Sequence, residues 1–103
     1  MVSIASLAKL AALVGNPARA GMLMALMDGR ALTATELARA AGIAPQTASG
    51  HLVLLSAARL LAIEKQGRRR YHRLACQEVV LMLERLMQVA ANLSDKRQKS
   101  CGA

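Results

Sequence analysis

Four arginines near the middle of this 103-residue sequence, Arg68, Arg69, Arg70 and Arg73, are the side chains best suited to chemistry. A guanidinium group keeps its charge and donates in a planar fork that matches the oxygens of a phosphate. The residues on either side of Gly67-Arg68 predict two short strands, so residues 61–74 are expected to form a hairpin with a basic turn. The arginines could then straddle a phosphate backbone, although a solvated basic turn would give the same pattern.

The charge of the whole chain also indicates a polyanionic partner. Lys and Arg total 14 against 6 Asp and Glu, which gives a formal net charge of +8. Such a charge is typical of a protein that binds nucleic acid, of one that binds a membrane surface through a basic amphipathic helix, or of a soluble basic protein without either partner. The apolar runs are shorter than the roughly 18 residues of a membrane span, and the N-terminus is too weakly basic for a signal peptide. We therefore expect a cytoplasmic bacterial protein.

Two amphipathic helices are predicted ahead of the basic region. Apolar residues recur at steps of three and four from Ser3 to Val14, which indicates the first helix. Asn16 followed by Pro17 provides an N-cap and a first-turn proline for a second helix that runs to about Met27. The sequence has no Phe or Trp, so its core must be built from Leu, Ala, Val, Ile and Met, which favours packed helices.

A pair of short helices joined by a tight turn is predicted directly before the hairpin. Thr33 and Glu36 have the spacing of a reciprocal capping box at the start of a third helix. Gly42 ends that helix, and Pro45 starts a fourth after Ala44, which is a weak N-cap. Such a pair can place its second helix in a major groove about 12 Å wide while the first braces it. A plain helical hairpin would share part of this pattern.

The last helix is predicted from about Ala75 to Leu93, where apolar residues again recur at steps of three and four. Residues 94–103 are polar and basic and are expected to form a disordered tail. A chain of this length has room for one core. The sequence thus predicts a single domain over 1–93 that is mostly α (α+β), a winged helix-turn-helix with about five helices and a two-stranded β-hairpin wing.

Four segments between about Leu10 and Leu93 resemble the ArsR/SmtB family of winged-helix repressors. They are Asn16-Pro17-Ala18-Arg19, Thr35-Glu36-Leu37-Ala38, Pro45-Gln46-Thr47-Ala48-Ser49-Gly50-His51-Leu52 and Gly67-Arg68-Arg69-Arg70-Tyr71-His72-Arg73-Leu74. The third segment stands in the place of the family's recognition helix, and the fourth looks like its wing. Other winged helices, such as the MarR-like proteins, overlap with these patterns.

The resemblance implies a transcriptional repressor that binds an inverted repeat in double-stranded DNA as a homodimer. The DNA contacts would come from the recognition helix and the wing, through Gln46, Thr47, Ser49, Gly50, His51, Arg68, Arg69, Arg70 and Arg73. The first and last helices would join two chains through Ile4, Leu7, Ala11, Val79, Leu83, Leu86 and Ala90. For His51, contact with DNA and packing against the helix pair both stay open.

The chain departs from the family pattern in geometry and in its metal ligands. Arg59 stands at the left-handed position after the recognition helix, where the family usually has a glycine, at a cost on the order of 1 kcal/mol. The paired Cys of the third helix and the Asp, His and Glu ligands of the last helix, which bind metal in many members, are missing. We expect no metal site and no cofactor, and the effector stays unknown.

Two alternatives remain open. Cys76 and Cys101 could form a thiol pair that responds to oxidants or reactive sulfur, although Cys76 falls on the apolar stripe of the last helix, where a cysteine is usually inert packing. The chain could instead be a helical protein-interaction module that uses its Met-rich apolar faces and binds no DNA, in which case salt-dependent DNA affinity would be weak. The sequence lacks a carboxylate dyad, a nucleophile pair and a phosphate loop, so we expect no enzyme.

Overall fold

The computed structural model describes residues 3–94, and within them the chain forms five helices and one two-stranded antiparallel sheet. The elements are α1 (Ile4–Val14), α2 (Pro17–Ala25), α3 (Ala34–Ala41), α4 (Pro45–Ala57), β1 (Leu61–Gln66), β2 (Arg69–Leu74) and α5 (Gln77–Ser94). This order confirms the predicted mostly α winged helix-turn-helix. The predicted tail lies outside the described residues apart from Ser94, which ends α5.

The helix starts follow the capping residues. The Oδ1 atom of Asn16 accepts from the amide of Arg19 at 3.1 Å and caps α2. At α3, the amide of Thr33 donates to Oε1 of Glu36 at 2.8 Å and Thr33 Oγ1 accepts from the Glu36 amide at 3.2 Å, so the capping box is complete. Ala44 makes no side-chain cap bond at α4, because a methyl group cannot accept a hydrogen bond. Local sequence thus determines where these helices begin.

Two predicted helix ends are displaced for physical reasons. The second helix ends at Ala25 rather than about Met27, because the amides of Leu26 and Met27 turn to the nearer carbonyls of Leu23 and Met24. The last helix begins at Gln77 rather than Ala75, because the amide of Ala75 donates to the carbonyl of Leu60 at 3.0 Å.

One core joins the two helices of the helix-turn-helix to α2, the strands and the first half of α5. Its fully or nearly fully buried side chains are Met22, Leu23, Leu26, Leu37, Ala38, Ala48, Leu52, Leu55, Leu60, Leu61, Leu74, Val79 and Leu83. Gly42 ends α3 at φ +69°, and the next amide, that of Ile43, returns to the carbonyl of Ala38 at 3.0 Å. This tight left-handed turn brings α4 across α3 so that both bury apolar faces in the same core.

Arg59 adopts a left-handed backbone with φ +64°, which confirms the predicted strained position after α4. Its amide donates to the carbonyl of Ser56, and the amide of Leu60 donates to the carbonyl of Leu55. These bonds reverse the chain at the end of α4 and direct Leu60 and Leu61 into the core. The arginine therefore fulfils the turn that a glycine would make with less strain.

The hairpin is tied to the body of the domain by a contact that the sequence patterns do not reveal. Leu32, in the segment before α3, forms an antiparallel bridge with His72 of β2. The amide of Leu32 donates to the carbonyl of His72 at 2.9 Å, and the amide of His72 donates back at 2.7 Å. The wing is thereby held beside the N-terminus of α3 rather than standing free of it.

Candidate nucleic-acid interface

The N-terminal half of α4 presents a polar surface to solvent. Ala48, Leu52 and Leu55 are buried in the core, which turns the opposite face of the helix outward. That outer face carries the predicted contact residues Gln46, Thr47, Ser49 and Gly50, all exposed. These short side chains and a glycine leave room for another molecule to approach the helix backbone. The geometry matches what a helix needs in order to enter a major groove.

His51 lies at the edge of that exposed face and is half-buried. Its Nδ1 atom stands 3.1 Å from Nη1 of Arg19, which belongs to the first turn of α2. The ring therefore has a contact with α2 inside the chain, which is not the predicted packing against the helix pair and leaves a role in DNA contact as a prediction.

The hairpin places three of its four predicted arginines in solvent. Gln66 pairs with Arg69, so the turn consists of Gly67 and Arg68, with Gly67 at φ +62°. Arg68, Arg69 and Arg70 are exposed, and within residues 3–94 none of them forms a salt bridge. Guanidinium groups without a counterion at a hairpin tip are available to a phosphate backbone.

Arg73 differs from the other three arginines. Its Nε atom donates to Oε1 of Glu64 across the hairpin at 2.6 Å, and its Nη1 donates to the carbonyl of Leu74 at 3.2 Å. The first bond joins the two strands of the hairpin, and Nη1 also reaches the carbonyl of Ala75 in the segment between β2 and α5 at 3.5 Å. Arg73 is thus engaged in holding the wing, a role that residue type and spacing alone do not separate from DNA contact.

A groove of about 860 Å³ lies between α3, α4 and the hairpin. It is bordered by residues from the start of α3, from one flank of α4 and from both strands: Thr33, Ala34, Thr35, Glu36, Ser49, Leu52, Val53, Ser56, Ile63, Arg69, Arg70 and His72. Sequence reasoning found Ser49 and the arginines but missed the threonines at the N-terminus of α3. The first-turn amides of Ala34 and Thr35, which a helix leaves without an intrahelical partner, could have drawn attention to this end of the groove. The amide of Glu36, by contrast, is already bonded to Thr33.

The single carboxylate in this groove, Glu36, stays ionised. The pKa of Glu36 is lowered, first by the bond from the Thr33 amide, then by the bond from the Thr33 side chain, and further by the charges of Arg39 and Arg69. The negative charge therefore stabilises the start of α3 and lies near one wing arginine. With Arg69 and Arg70 both on the rim, the groove still carries an excess of positive charge.

The residues predicted to join two chains divide into two groups. Ile4 and Leu7 of α1 are exposed by 86% and 61%, and Ala11, Leu86 and Ala90 are also exposed. Val79 and Leu83 are buried in the chain's own core, because they face the body of the domain from the first half of α5. On α5, sequence periodicity places Val79, Leu83, Leu86 and Ala90 on one stripe and cannot show where that stripe leaves the core.

The expectation that Cys76 packs on the apolar stripe of the last helix was wrong. The residue precedes α5 and is exposed, since the helix begins at Gln77, two residues later than predicted. Its thiol is not packed within the described part of the chain, and Cys101 lies outside that part.

Metal-binding clusters and membrane-spanning helices are both absent from residues 3–94. Within that range, no group of three or more His, Cys, Asp or Glu side chains is placed to hold a metal ion. None of the described helices has the length and apolar character needed to cross a membrane.

Comparison with known proteins identifies the domain. Residues 14–64 match the family model of a helix-turn-helix domain. The HTH-type transcriptional regulator YdfF of Bacillus subtilis (strain 168) is 44% identical over 94 residues, which are 91% of this chain and 42% of YdfF. The chain therefore spans about two fifths of the length of this curated relative.

Solved structures share the fold. The homodimeric winged helix-turn-helix DNA-binding domain of Mb0332 from Mycobacterium bovis, a possible ArsR-family regulator, has a TM-score of 0.81 at 23% identity and covers 95% of this chain and 90% of its own. The cadmium sensor CMTR of Mycobacterium tuberculosis has a TM-score of 0.66 at 29% identity, with 93% and 97% covered. The family match spans α2 to α4 and the wing follows as in these neighbours, so the described part of the chain is a winged helix-turn-helix domain that is similar to transcriptional regulators of the helix-turn-helix type.

Proposed function

We propose that this domain binds double-stranded DNA with α4 in the major groove and the hairpin against the neighbouring phosphate backbone. The observation that supports this most is the shared groove: Ser49, from the polar outer face of α4, and two arginines without a salt bridge border one concave surface. Arg68, Arg69 and Arg70 would contact phosphates, and Gln46, Thr47, Ser49 and Gly50 would lie against base edges or the sugar-phosphate backbone.

The proposal includes a homodimer. α1 buries none of its residues in the single chain, and α5 buries only Val79 and Leu83. The exposed apolar residues Ile4, Leu7, Ala11, Leu86 and Ala90 would form the contact between chains, as the homodimeric state of Mb0332 suggests. A two-fold axis would place the two α4 helices about one helical turn of DNA apart, so that the operator is an inverted repeat. Occupancy of that operator in the bacterial cytoplasm would repress transcription.

The test begins with a duplex selected from a random library by the wild-type protein. The triple variant Arg68→Ala, Arg69→Ala, Arg70→Ala should bind every duplex more weakly. Its affinity should also depend less on salt, by about 0.9 in the log–log slope for each phosphate that the variant no longer neutralises. The matched control removes the same charge elsewhere through Lys9→Ala, Arg30→Ala and Arg85→Ala. Equal reductions in affinity for both triple variants would reject the hairpin as the contact surface.

A second variant separates base contact from phosphate contact. Gln46 is exposed at the start of α4, and its amide can pair bidentately with adenine. Gln46→Ala should relax discrimination at one base pair of the selected duplex and leave affinity for random DNA nearly unchanged. The same reduction on both duplexes would remove Gln46 from the base-reading residues.

A further inference from the structure

The guanidinium group of Arg19 connects three helices. From the first turn of α2, its Nε donates to the carbonyl of Leu13 at 2.7 Å and its Nη2 donates to the carbonyl of Ala12 at 3.4 Å. Both carbonyls belong to the last turn of α1, where helical carbonyls lack partners and a positive charge is favoured. The remaining arm, Nη1, reaches Nδ1 of His51 on α4 at 3.1 Å.

This contact determines which nitrogen of the neutral His51 ring carries the proton. A guanidinium group can only donate, so Nδ1 must be the accepting nitrogen and the ring proton must reside on Nε2. Among residues 3–94, Nε2 of His51 has no hydrogen-bond partner. It is also not a buried atom, because Ser56 Oγ is the one side-chain polar atom in that range that is both buried and without a partner. The Nε2–H group of His51 is therefore open to solvent as a donor.

The position of His51 on α4 indicates what would accept from that donor. The residue follows Thr47 by one helical turn and precedes the buried Leu52, so it lies where the exposed face meets the core. Gly50 beside it has open space where a side chain would stand. A helix about 10–12 Å across nearly fills a major groove about 12 Å wide, so its flanks meet the phosphate walls rather than the base edges.

We propose that Arg19 is a positioning residue for DNA binding, which holds the His51 ring so that its Nε2–H donates to a phosphate oxygen at the wall of the major groove. This inference rests on the proposed function. Because the same guanidinium also binds the end of α1, the orientation of the donor is fixed relative to three helices at once. Arg19 itself does not contact the DNA.

The second histidine of the chain provides an internal reference. Nδ1 of His72 stands 3.2 Å from the carbonyl oxygen of Leu32, which can only accept, so Nδ1 of His72 must carry the proton. The two rings are thus expected to be opposite tautomers in one molecule. Long-range proton–nitrogen correlation spectra of the free wild-type protein should show a bare Nδ1 for His51 and a protonated Nδ1 for His72. A protonated Nδ1 on His51 would overturn the proposal.

Variants then test the link to DNA on the selected duplex. His51→Ala should weaken binding about tenfold, the size expected for a hydrogen bond to a charged group, while His51→Gln should recover part of the affinity because its amide both accepts and donates. Arg19→Lys keeps the charge but has no fork, so it should weaken binding about three- to tenfold and alter the Nδ1 resonance of His51 while leaving that of His72 unchanged. The control Arg30→Lys should match the wild type in both measurements.

The outcomes separate this inference from the proposed function. If the wild type itself selects and binds no duplex, the proposed function fails. If the wild type binds and His51→Ala or Arg19→Lys binds equally well, the positioning role of Arg19 is rejected. A reduction of similar size on selected and random duplexes supports the phosphate contact, whereas a reduction confined to the selected duplex would overturn it in favour of a base contact.

Discussion

The helix-turn-helix with its wing and the pair of terminal helices differ in how they obtain stability. In α3 and α4, the apolar faces end in a core shared with α2 and the strands, and the residues left outside are mainly small or polar, apart from the exposed Val53 and Leu54 of α4. α1 buries none of its residues, and every described residue of α5 from Glu84 onward is exposed. The first region buries most of its apolar surface within one chain, whereas the second leaves most of its apolar surface without a partner.

This difference separates two kinds of exposed residue. Polar groups on α4 and arginines on the hairpin are stable in water and ready for a charged ligand. Leucines and isoleucines on α1 and α5 gain about 25 cal/mol for each Å² of apolar surface that a partner covers. The same chain therefore offers one surface suited to DNA and another suited to a second copy of itself.

The largest effect on the free energy of unfolding is expected in the core of the helix-turn-helix, where side chains are fully buried. Leu55 of α4 is fully buried, and Leu55→Ala should lower the free energy of unfolding by about 2–5 kcal/mol, measured by chemical denaturation. The neighbouring Leu54 is 49% exposed, and Leu54→Ala should cost much less. Similar costs for the two variants would mean that α4 is not packed as described.

A substitution on the exposed face of the terminal helices should change the oligomeric state of the protein but not the fold of the chain. Leu86 is 46% exposed, so Leu86→Glu should leave the helical content of the chain unchanged but bury a charge in the contact between chains. Sedimentation equilibrium should then show one chain where the wild type shows two, with a dissociation constant raised about a hundredfold. The control Met24→Glu, on α2 at a similarly exposed position, should remain a dimer. A wild type that is monomeric at micromolar concentration would remove the basis of this comparison.

A smaller effect is expected at the junction between α4 and the wing. Arg59→Gly should relieve the left-handed strain of about 1 kcal/mol, reduced by the extra freedom that glycine gives the unfolded chain, and should raise the melting midpoint by a few degrees. Ala58 adopts φ −82°, so Ala58→Gly has no strain to relieve and should lower the midpoint instead. The comparison fails if both glycines shift the midpoint in the same direction.

The smallest effect concerns acid and the start of α3. The folded-state pKa of Glu36 lies below its usual value of 4.5 because Thr33 donates to the carboxylate. The ionised group therefore stabilises the fold above its unfolded-state pKa, and this contribution disappears as the pH falls through the folded-state pKa. The stability curves of wild type and Glu36→Gln should converge as the pH falls from neutral to well below the usual glutamate value of 4.5. Parallel curves would show that Glu36 is not linked to folding.

Local rules were sufficient for most of the fold. Asn16 with Pro17, the Thr33–Glu36 box, Gly42 and the Gly67-Arg68 turn each specify a start, an end or a reversal through neighbours in the sequence, and the structure has each of them at the expected place. The strained backbone of Arg59 was predictable from the resemblance, because the family usually has a glycine at this position after the recognition helix.

The contacts that could not be predicted join distant residues. The bridge between Leu32 and His72, the pairing of Arg73 with Glu64 and the bond from Arg19 to His51 depend on how the elements pack, which no periodicity encodes. The site therefore emerged from the sequence as a set of residue types. Which arginine is free and which holds the wing became visible only in three dimensions.

Footprinting of the wild-type protein on a selected duplex tests the central claim most directly. If two copies of α4 enter successive major grooves from one side of the DNA, protection should appear at two segments about 10 bp apart, arranged as an inverted repeat, and should disappear with Leu86→Glu at the same protein concentration. A single protected segment, or protection that persists when the chains are separated, would contradict the account of a reading region that is packed within one chain and paired through the terminal helices.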